Sequence, residues 1–272
     1  MNKKSLVGIV LASVVTVGIM AGCGSSKNDS AKSGDGNKKY VIACDAKYAP
    51  FSFEEDGKYK GIDVELLDAI AKEEKFEYDL KPMDFNGIIP GLTSNQLDGA
   101  IAGMSITDER KETLDFSDGY FVSGLSLVVN KDNNDIKAET DQNDKNKVII
   151  SNLNGKSASL KKGTAGAKFA EDNEKGYGLN LNYFDDSPSM FQAVENKNCD
   201  FLLEDYPVIA YKIKVDPDSK LKIAGDKLTN VDYGFAVKKG ENADLLKKFN
   251  EGLKKLKENG QYDKIVDQYI AK

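Results

Sequence analysis

The sequence of 272 residues contains no histidine and no tryptophan. Histidine is the most common general base near neutral pH and the most common metal ligand, and it activates the nucleophile in Ser-His and Cys-His enzymes. Enzymes of those two types and histidine-ligated metal sites are therefore excluded. Cysteine is also scarce, with three residues in the whole chain.

A concentration of positive charge is missing as well. The net charge is −6 and the lysines are spread along the chain, so there is no basic patch and we expect no nucleic-acid partner. Of the 38 Lys and Arg residues, a single one is arginine, Arg110. Its planar guanidinium offers a fork of donors that lysine cannot reproduce, and this fork suits a carboxylate held by two parallel hydrogen bonds.

The surroundings of Arg110 indicate an anion-binding site. An apolar run over residues 100–102 predicts a buried strand, and Thr107 predicts the N-cap of the helix that contains Arg110. A strand end followed by a helix start places Ser105, backbone N–H groups and the guanidinium around one small volume. The alternative is that Arg110 pairs with an acidic neighbour on the surface.

The N-terminus has the features of a targeting segment. Two lysines precede an apolar stretch over residues 6–20, and small residues stand directly before Cys23. This order predicts a signal peptide over 1–23 and resembles the lipobox of bacterial lipoproteins, in which Cys23 becomes the lipid-carrying first residue. An uncleaved anchor and an ordinary signal peptide are the alternatives. Residues 24–39 are small, polar or charged and predict a flexible tether.

The next part of the chain alternates strands and helices. Residues 39–45 and 77–83 predict strands, Asp56-Gly57 predicts a hairpin turn, and Asp63 predicts the N-cap of a helix. This order predicts an α/β architecture with mostly parallel strands, whose ligands bind beyond the carboxyl ends of the strands. The residues at or just after such ends are Asp45, Tyr48, Phe85 and Ser105. Taken singly, each is more typical of a structural role than of a binding role.

The second half repeats this rhythm. Strands are predicted over 125–130, 157–160, 199–203 and 234–238, and helices over 168–172, 187–194, 242–259 and 262–270. Ser187 is predicted to cap the second of these helices, followed by a proline that starts it. Residues 132–152 are polar and predict a loop. A glycine-containing turn at 161–166 offers free N–H groups that can hold an anion. Glu204 and Asp205, adjacent at a strand end, leave three interpretations open: a catalytic pair, a metal-binding shelf, or a solvated strand terminus.

Three motifs carry a resemblance to a known family. They are MDFNGIIPGL at 83–92, AGMSITDERK at 102–111 and DFSDGY at 115–120. From about Tyr40 to the C-terminus the chain resembles the extracellular solute-binding proteins of polar amino-acid ABC transporters (family 3), and glutamine-binding proteins most of all. The resemblance implies a two-lobed periplasmic-binding-protein-like (type II) α/β fold, with mostly parallel sheets flanked by helices and a two-crossing hinge. Lobe one would comprise 40–121 and 232–272, and lobe two 122–231.

The resemblance also implies a set of ligand-binding residues. Arg110, Ser105 and the amides of 164–165 would meet the carboxylate of a free amino acid, and Asp205 with the Gly103 carbonyl would meet its ammonium group. Aromatic faces would clamp the aliphatic part, and charged residues would receive the end of the side chain. The full set is Asp45, Tyr48, Phe85, Ala102, Gly103, Ser105, Arg110, Lys161, Thr164, Ala165, Glu204 and Asp205.

The implied function is capture of a polar amino acid by hinge closure and its delivery to the permease of an ABC importer. L-glutamine is favoured, because Asp45 and Glu204 would repel a ligand carboxylate and Lys161 would repel a cationic side chain. Glutamate or a basic amino acid stays open if Glu204 and Lys161 pair with each other, as do a dehydratase-like enzyme with Glu204 or Asp205 as general acid, and a sensor.

No catalytic residue, metal or cofactor is implied, and we expect a monomer anchored by lipid at the extracytoplasmic face of the membrane. Cys44 and Cys199 would lie in different lobes that move relative to each other. We therefore expect two buried, unpaired thiols.

Overall fold

The computed structural model describes residues 38–144 and 147–270; the predicted signal peptide, Cys23 and residues 24–37 of the predicted tether lie outside the described residues. The strands are β1 (Lys39–Asp45), β2 (Lys47–Tyr48), β3 (Ser52–Glu55), β4 (Lys58–Lys60), β5 (Glu77–Met83), β6 (Gly99–Ala100), β7 (Leu114–Phe116), β8 (Phe121–Ser123), β9 (Leu125–Asn130), β10 (Lys137–Thr140), β11 (Val148–Ser151), β12 (Ser157–Lys161), β13 (Asn180–Phe184), β14 (Phe201–Asp205), β15 (Leu221–Ile223), β16 (Val231–Tyr233) and β17 (Ala236–Lys238). The helices are α1 (Ile62–Glu74), α2 (Ile88–Thr93), α3 (Asp108–Lys111), α4 (Ala165–Tyr177), α5 (Ser187–Glu195), α6 (Tyr206–Val215), α7 (Ala243–Glu258) and α8 (Gln261–Tyr269). No helix in these two stretches is long and apolar enough to cross a membrane.

The first sheet has the strand order β5-β1-β6-β17-β7. Strand β1 runs parallel to β5 and β6, whereas β17, from near the C-terminus, pairs antiparallel with β6 and β7. Helices α1 and α7 pack together, and their buried faces meet at residues such as Ile70 and Gly252. We call this sheet, its helices and the small sheet β2-β3-β4 lobe one.

The second sheet has the order β13-β12-β14-β9-β15. Strand β12 runs parallel to β13 and β14, and β9 pairs antiparallel with β14 and β15. We call this sheet with α4, α5 and α6 lobe two. Strands β8 and β16 form a two-stranded antiparallel ribbon between the two sheets, so the chain crosses twice. The predicted two-lobed α/β fold with a two-crossing hinge is confirmed. The sheets are mixed rather than mostly parallel, because each large sheet has two parallel and two antiparallel pairings.

The start of α1 differs from the prediction. The N-cap is Gly61, with a φ of 118°, and a Cβ at this position would lie 2.3 Å from the carbonyl oxygen of Phe51. Only glycine fits this conformation and this contact. Asp63 is therefore the second residue of the helix, and its carboxylate accepts hydrogen bonds from residues distant in sequence rather than from its own helix. The prediction of Asp63 as an N-cap was wrong.

Three other local predictions need correction. Residues 132–152 are not a plain loop, because β10 and β11 pair as an antiparallel hairpin whose Ile150 is buried. Helix α5 is capped by Asp186, whose Oδ1 accepts from the Ser189 N–H at 2.8 Å, and not by Ser187. Helix α4 extends well beyond the predicted 168–172 in both directions.

Several local predictions are confirmed. Thr107 caps α3, the turn at Asp56 and Gly57 joins β3 to β4, and α7 covers almost all of the predicted 242–259. Cys44, in β1, and Cys199, just before β14, are both buried and both free. Cys44 is in lobe one and Cys199 is next to β14 of lobe two, so the two thiols lie in different lobes, as expected.

Candidate ligand-binding site

A small cavity lies between the two lobes. It measures about 320 Å³ including its open side, and about 20 Å³ of it is open to a water-sized molecule, so its walls lie close together. Its lining residues are Tyr48, Phe85, Gly103, Ser105, Arg110, Leu125, Lys161, Thr164, Ala165, Gly166, Leu203, Glu204 and Asp205. Every residue of the predicted set lines it except Asp45, which contacts Lys161, and Ala102, which is packed in the core of lobe one.

Arg110 lies inside this cavity and not on the surface. The Oγ1 of Thr107 accepts from the Arg110 backbone N–H at 3.3 Å and starts helix α3 at this point. The guanidinium donates from Nη1 to the Ser105 carbonyl at 2.8 Å and from Nη2 to the Gly163 carbonyl at 3.1 Å, and it lies 5.4 Å from the ring centre of Phe85.

Arg110 forms no ion pair with any residue that the structure describes; Asp108 pairs with Lys111 instead. Burial lowers the pKa of the guanidinium, although Asp205 nearby partly offsets this effect. A buried guanidinium has five N–H donors, and two carbonyl oxygens leave part of this capacity for another acceptor. The side chain is therefore prepared to receive an anion.

Asp205 is the acidic counterpart on lobe two. It is the last residue of β14, and its Oδ2 accepts from the hydroxyl of Tyr233 at 2.6 Å and from that of Tyr48 at 2.9 Å. Its Oδ1 is buried and has no hydrogen-bond partner among the residues 38–144 and 147–270. A buried carboxylate oxygen without a donor is costly, so Oδ1 is a specific acceptor for a cationic or N–H group in the cavity.

Tyr233 is a site residue that sequence reasoning missed. It belongs to the crossing strand β16, is fully buried, and its hydroxyl lies 3.2 Å from that of Tyr48. Burial raises its pKa well above the ordinary value, so the hydroxyl stays protonated and donates. The one sequence feature that could have pointed to Tyr233 is its position in the segment predicted to return the chain to lobe one. A buried tyrosine in that segment can contact both lobes.

Glu204 is held by two hydrogen bonds. Its Oε1 accepts from the Asp205 backbone N–H at 2.8 Å, and its Oε2 accepts from the Ser187 hydroxyl at 2.9 Å. The Tyr48 hydroxyl also lies 3.2 Å from Oε1, but its single proton is shared with the shorter contact to Asp205. Burial and the adjacent Asp205 carboxylate raise its pKa to about 7. The two carboxylates are both buried, so this is not a solvated strand terminus. No group of three potential metal ligands occurs in the described residues.

Lys161 pairs with Asp45, not with Glu204. The pair crosses from lobe two to lobe one, and both side chains are almost fully buried. The Lys161 ammonium also lies over the rings of Tyr48 at 4.5 Å and Phe85 at 5.6 Å. The pairing considered above between Lys161 and Glu204 is therefore not formed, and Glu204 keeps no cation in direct contact within the described chain.

Backbone groups complete the cavity. Gly103 has a φ of 53°, and a Cβ there would lie 2.5 Å from the Cε1 atom of Tyr48, so a side chain is excluded. On the opposite lobe, Thr164 caps α4 by accepting from the Ala167 N–H at 3.2 Å. The first N–H groups of a helix have no partner inside the helix and favour anions. Thr164 and Ala165 thus bring the N-terminus of α4 to the cavity wall.

The lobes are closed on each other. Besides the buried pair of Lys161 and Asp45, the Arg110 guanidinium of lobe one contacts the Gly163 carbonyl of lobe two. Near the surface, Lys47 of lobe one pairs with Asp186 of lobe two at 2.8 Å. The cavity is thus enclosed by groups from both halves, and a ligand inside it touches both.

Comparison with known proteins gives consistent matches over the described fold. Residues 40–272 match the sequence profile of the bacterial extracellular solute-binding proteins, family 3. A probable histidine-binding protein of Neisseria gonorrhoeae is 31% identical over 274 residues, which span 100% of this chain and 97% of the relative.

Solved structures agree with this match. An ancestral arginine-binding protein bound to arginine is 36% identical with a TM-score of 0.76, and one bound to glutamine is 35% identical with a TM-score of 0.75; each covers 86% of this chain and 98% of the other. An ancestral amino-acid-binding protein described as a precursor of cyclohexadienyl dehydratase is 33% identical with a TM-score of 0.71, covering 85% of this chain and 95% of its own.

Proposed function

Because the chain belongs to the bacterial extracellular solute-binding proteins of family 3, we propose that its lobes capture one polar amino acid for an ABC importer and that the preferred ligand is L-glutamine. The site is formed by the residues of the predicted set together with Tyr233. We further propose that lobe one spans 40–121 and 232–272, that lobe two spans 122–231, and that the protein acts as a monomer.

One observation carries this proposal: two buried groups of opposite charge face the same cavity from different lobes. Arg110 of lobe one has donors left over, and Oδ1 of Asp205 on lobe two has no donor among the described residues. A free amino acid carries a carboxylate and an ammonium group, and it leaves water at acceptable cost only if both charges are matched. The arrangement supports binding of this zwitterion by both lobes together.

The preference for glutamine rests on the groups left for the side chain. Lys161, whose charge is matched by Asp45, lines the cavity with donors left over, and Glu204 lines the same cavity with carboxylate oxygens that can accept. A side-chain amide both donates and accepts. It adds no charge to a buried site, so it fits this pair without a further desolvation cost.

A cationic amino acid such as L-arginine is the second candidate, and a charge count favours it. With Glu204 ionised, the three carboxylates of Asp45, Glu204 and Asp205 face the two cations of Lys161 and Arg110, which leaves one negative charge in excess. A zwitterion adds no net charge, whereas a cationic side chain balances the excess. Because the pKa of Glu204 is raised to about 7, the balance between the two ligands depends on pH.

Calorimetry of residues 24–272, which contain the whole compact unit 37–272, against each of the common amino acids tests the proposal. We expect glutamine to bind most tightly at pH 6 and arginine to gain relative to glutamine at pH 8. Asp205→Asn is the matched control and should weaken all amino acids alike, because it changes the group that meets the shared ammonium. If no amino acid binds, the proposed function is wrong; if arginine is tighter at both pH values, the second candidate replaces the first.

Lipid anchoring and the absence of catalysis are separate parts of the proposal. We propose that Cys23 carries the lipid, so that Cys23→Ser should move the protein from the membrane fraction to the medium. The relatives matched above are named as binding proteins, and we propose that this chain does not turn over its ligand. Recovery of the bound amino acid unchanged after prolonged incubation would support binding alone, and loss of uptake in a deletion strain would separate delivery from sensing.

A further inference from the structure

We propose that Asp63, which does not touch the cavity, is a positioning residue that fixes the binding loop to the entrance of the hinge. The binding loop is residues 101–107, between β6 and α3, and it contributes Gly103 and Ser105 to the cavity wall. The inference rests on the proposed function, since it concerns how the same site is held in shape.

Each carboxylate oxygen of Asp63 has a different partner. Oδ2 accepts from the Gly103 backbone N–H at 2.7 Å, and Oδ1 accepts from the Tyr120 hydroxyl at 2.8 Å. The same hydroxyl lies 3.1 Å from the Gly103 nitrogen, so the three groups form a closed triangle. Asp63 is fully buried and separated from Gly103 by 40 residues in sequence.

The bond to Gly103 sets the direction of a peptide group in the binding loop. In a trans peptide bond the carbonyl points opposite to the following N–H, so holding the Gly103 N–H toward Asp63 turns the Ala102 carbonyl the other way. Gly103 itself has a φ of 53° and is packed against Tyr48 and Tyr233. The Asp63 carboxylate therefore stabilises a conformation of the binding loop that the sequence of the loop alone does not impose.

The bond to Tyr120 reaches the hinge. Tyr120 directly precedes β8, its backbone N–H donates to the Tyr233 carbonyl at 2.9 Å, and its carbonyl accepts from the Tyr262 hydroxyl at 2.6 Å. Tyr233 in turn holds Asp205 of lobe two. Asp63 is thus the point at which the ligand-contacting loop and the first crossing strand are tied together.

Burial of this carboxylate is costly, which indicates that the position needs an acceptor. The pKa of Asp63 is raised to about 7, because burial and the nearby Asp45 carboxylate raise it by more than the bonds from Tyr120 and Gly103 lower it. An apolar side chain at this buried position in the first turn of α1 would avoid that cost. Leucine at this position would leave the Tyr120 hydroxyl without its acceptor and the Gly103 N–H with only the longer contact to that hydroxyl at 3.1 Å.

Calorimetry with L-glutamine and L-arginine on Asp63→Leu, Asp63→Asn and Asp98→Asn tests the proposal. Asp63→Leu should weaken binding by about tenfold or more, the scale of one hydrogen bond to a charged acceptor. Asp63→Asn keeps a neutral acceptor for Gly103 and should recover part of this loss, leaving binding about threefold weaker than in the wild type. Asp98→Asn is the control: Asp98 is a partly buried carboxylate of lobe one at the end of β6 opposite the binding loop, and it accepts from the Val41 N–H at 2.9 Å. It should leave affinity within about twofold.

The amide resonance of Gly103 gives a readout that does not depend on ligand. An N–H bonded to a carboxylate should shift when Asp63 becomes asparagine, while the Asp98→Asn spectrum keeps that resonance in place. The inference is overturned if the Gly103 resonance is unchanged in Asp63→Asn, or if folded Asp63→Leu binds like the wild type. If the wild type binds neither amino acid, the proposed function fails and the Gly103 resonance alone decides the positioning role. If Asp63→Leu does not fold, Asp63→Asn and Tyr120→Phe decide it, because each should weaken binding about threefold to tenfold without unfolding.

Discussion

Replacing Arg110 with lysine tests the centre of the proposed site while keeping its charge. Two of the five guanidinium donors are used on the carbonyl oxygens of Ser105 and Gly163, and the others are available to a ligand carboxylate. A lysine ammonium is a point with three donors on a flexible stem, so it cannot hold both carbonyls and a carboxylate in one plane. The variant therefore separates the geometry of the fork from the presence of a positive charge.

The expected magnitude follows from the bonds that are lost. A hydrogen bond to a charged partner contributes about 1.5–3 kcal/mol, and lysine should replace one of the two bonds to a carboxylate. Arg110→Lys should therefore weaken binding of the preferred amino acid by about 2 kcal/mol or more, which is a factor of about 30 in Kd. Arg110→Met removes the charge as well and should weaken binding by more than about 100-fold, because the ligand carboxylate is then buried without a partner.

Stability measured without added ligand makes the test sharper. Since Arg110 has no acidic partner among the described residues, its buried charge is not offset by an ion pair, and Arg110→Met should lower the free energy of unfolding by no more than about 1 kcal/mol. Calorimetry gives the affinities and urea unfolding gives the stabilities. Lys111→Met, at the exposed neighbour, is the control and should change neither. Wild-type affinity in folded Arg110→Lys, or a large loss of stability in Arg110→Met, would refute the assigned role.

Four further substitutions test the groups around Arg110. Tyr233→Phe removes the 2.6 Å bond to Asp205 and should weaken amino-acid binding about tenfold in calorimetry; an unchanged Kd would contradict the role of the hydroxyl. Lys161→Met and Asp45→Asn should each weaken binding, but the double variant should lose less than their sum by about 0.5–3 kcal/mol, and additive losses would show that the pair does not act as a unit. Glu204→Gln should become more stable relative to the wild type as the pH rises from the ordinary glutamate pKa of 4.5 to the raised value of about 7, and this difference in stability should then level off. The reason is that ionisation of Glu204 is disfavoured in the folded state only, so the wild type loses stability over this range. Urea unfolding across this range would show no such trend if Glu204 were solvated.

The parts of the fold that the sequence predicts are those that depend on neighbours along the chain. The alternation over Lys39–Asp45 and the apolar stripe of α7 each specify one buried face, and that face then finds its partner layer. Thr107 could be assigned as a cap for the same reason, since its acceptor and the donor at Arg110 are three residues apart. Arg110 itself was conspicuous because it is the single arginine of the chain.

The parts that could not be predicted depend on contacts across the fold. Asp63 has the sequence context of a helix cap, but its partners are 40 and 57 residues away. Lys161 was considered as a partner of Glu204, whereas its actual partner is Asp45, 116 residues away, and that pairing follows only from how the lobes meet. The segment that contains β10 and β11 is mostly polar apart from residues 148–150. Its strands are held at the edge of lobe two, where the Ala138 N–H donates to the Ala224 carbonyl at 2.8 Å. No local pattern contains that information.

The distribution of charge between the lobes also bears on how binding is coupled to closure. Bringing the lobes together desolvates Arg110 from one side and Asp205 from the other, and neither is fully matched within the described chain. Shifting a two-state equilibrium from 1:99 to 99:1 requires a ligand to favour one state by about 5.5 kcal/mol, whereas one well-placed charged hydrogen bond contributes about 1.5–3 kcal/mol. A single matched end therefore cannot close the lobes fully, but a zwitterion that satisfies both ends in the closed arrangement reaches the required scale. The fully closed conformation therefore forms with an amino acid that carries both charged groups, and not with an anion or an amine alone. This is the discrimination that a transporter needs before it accepts the ligand.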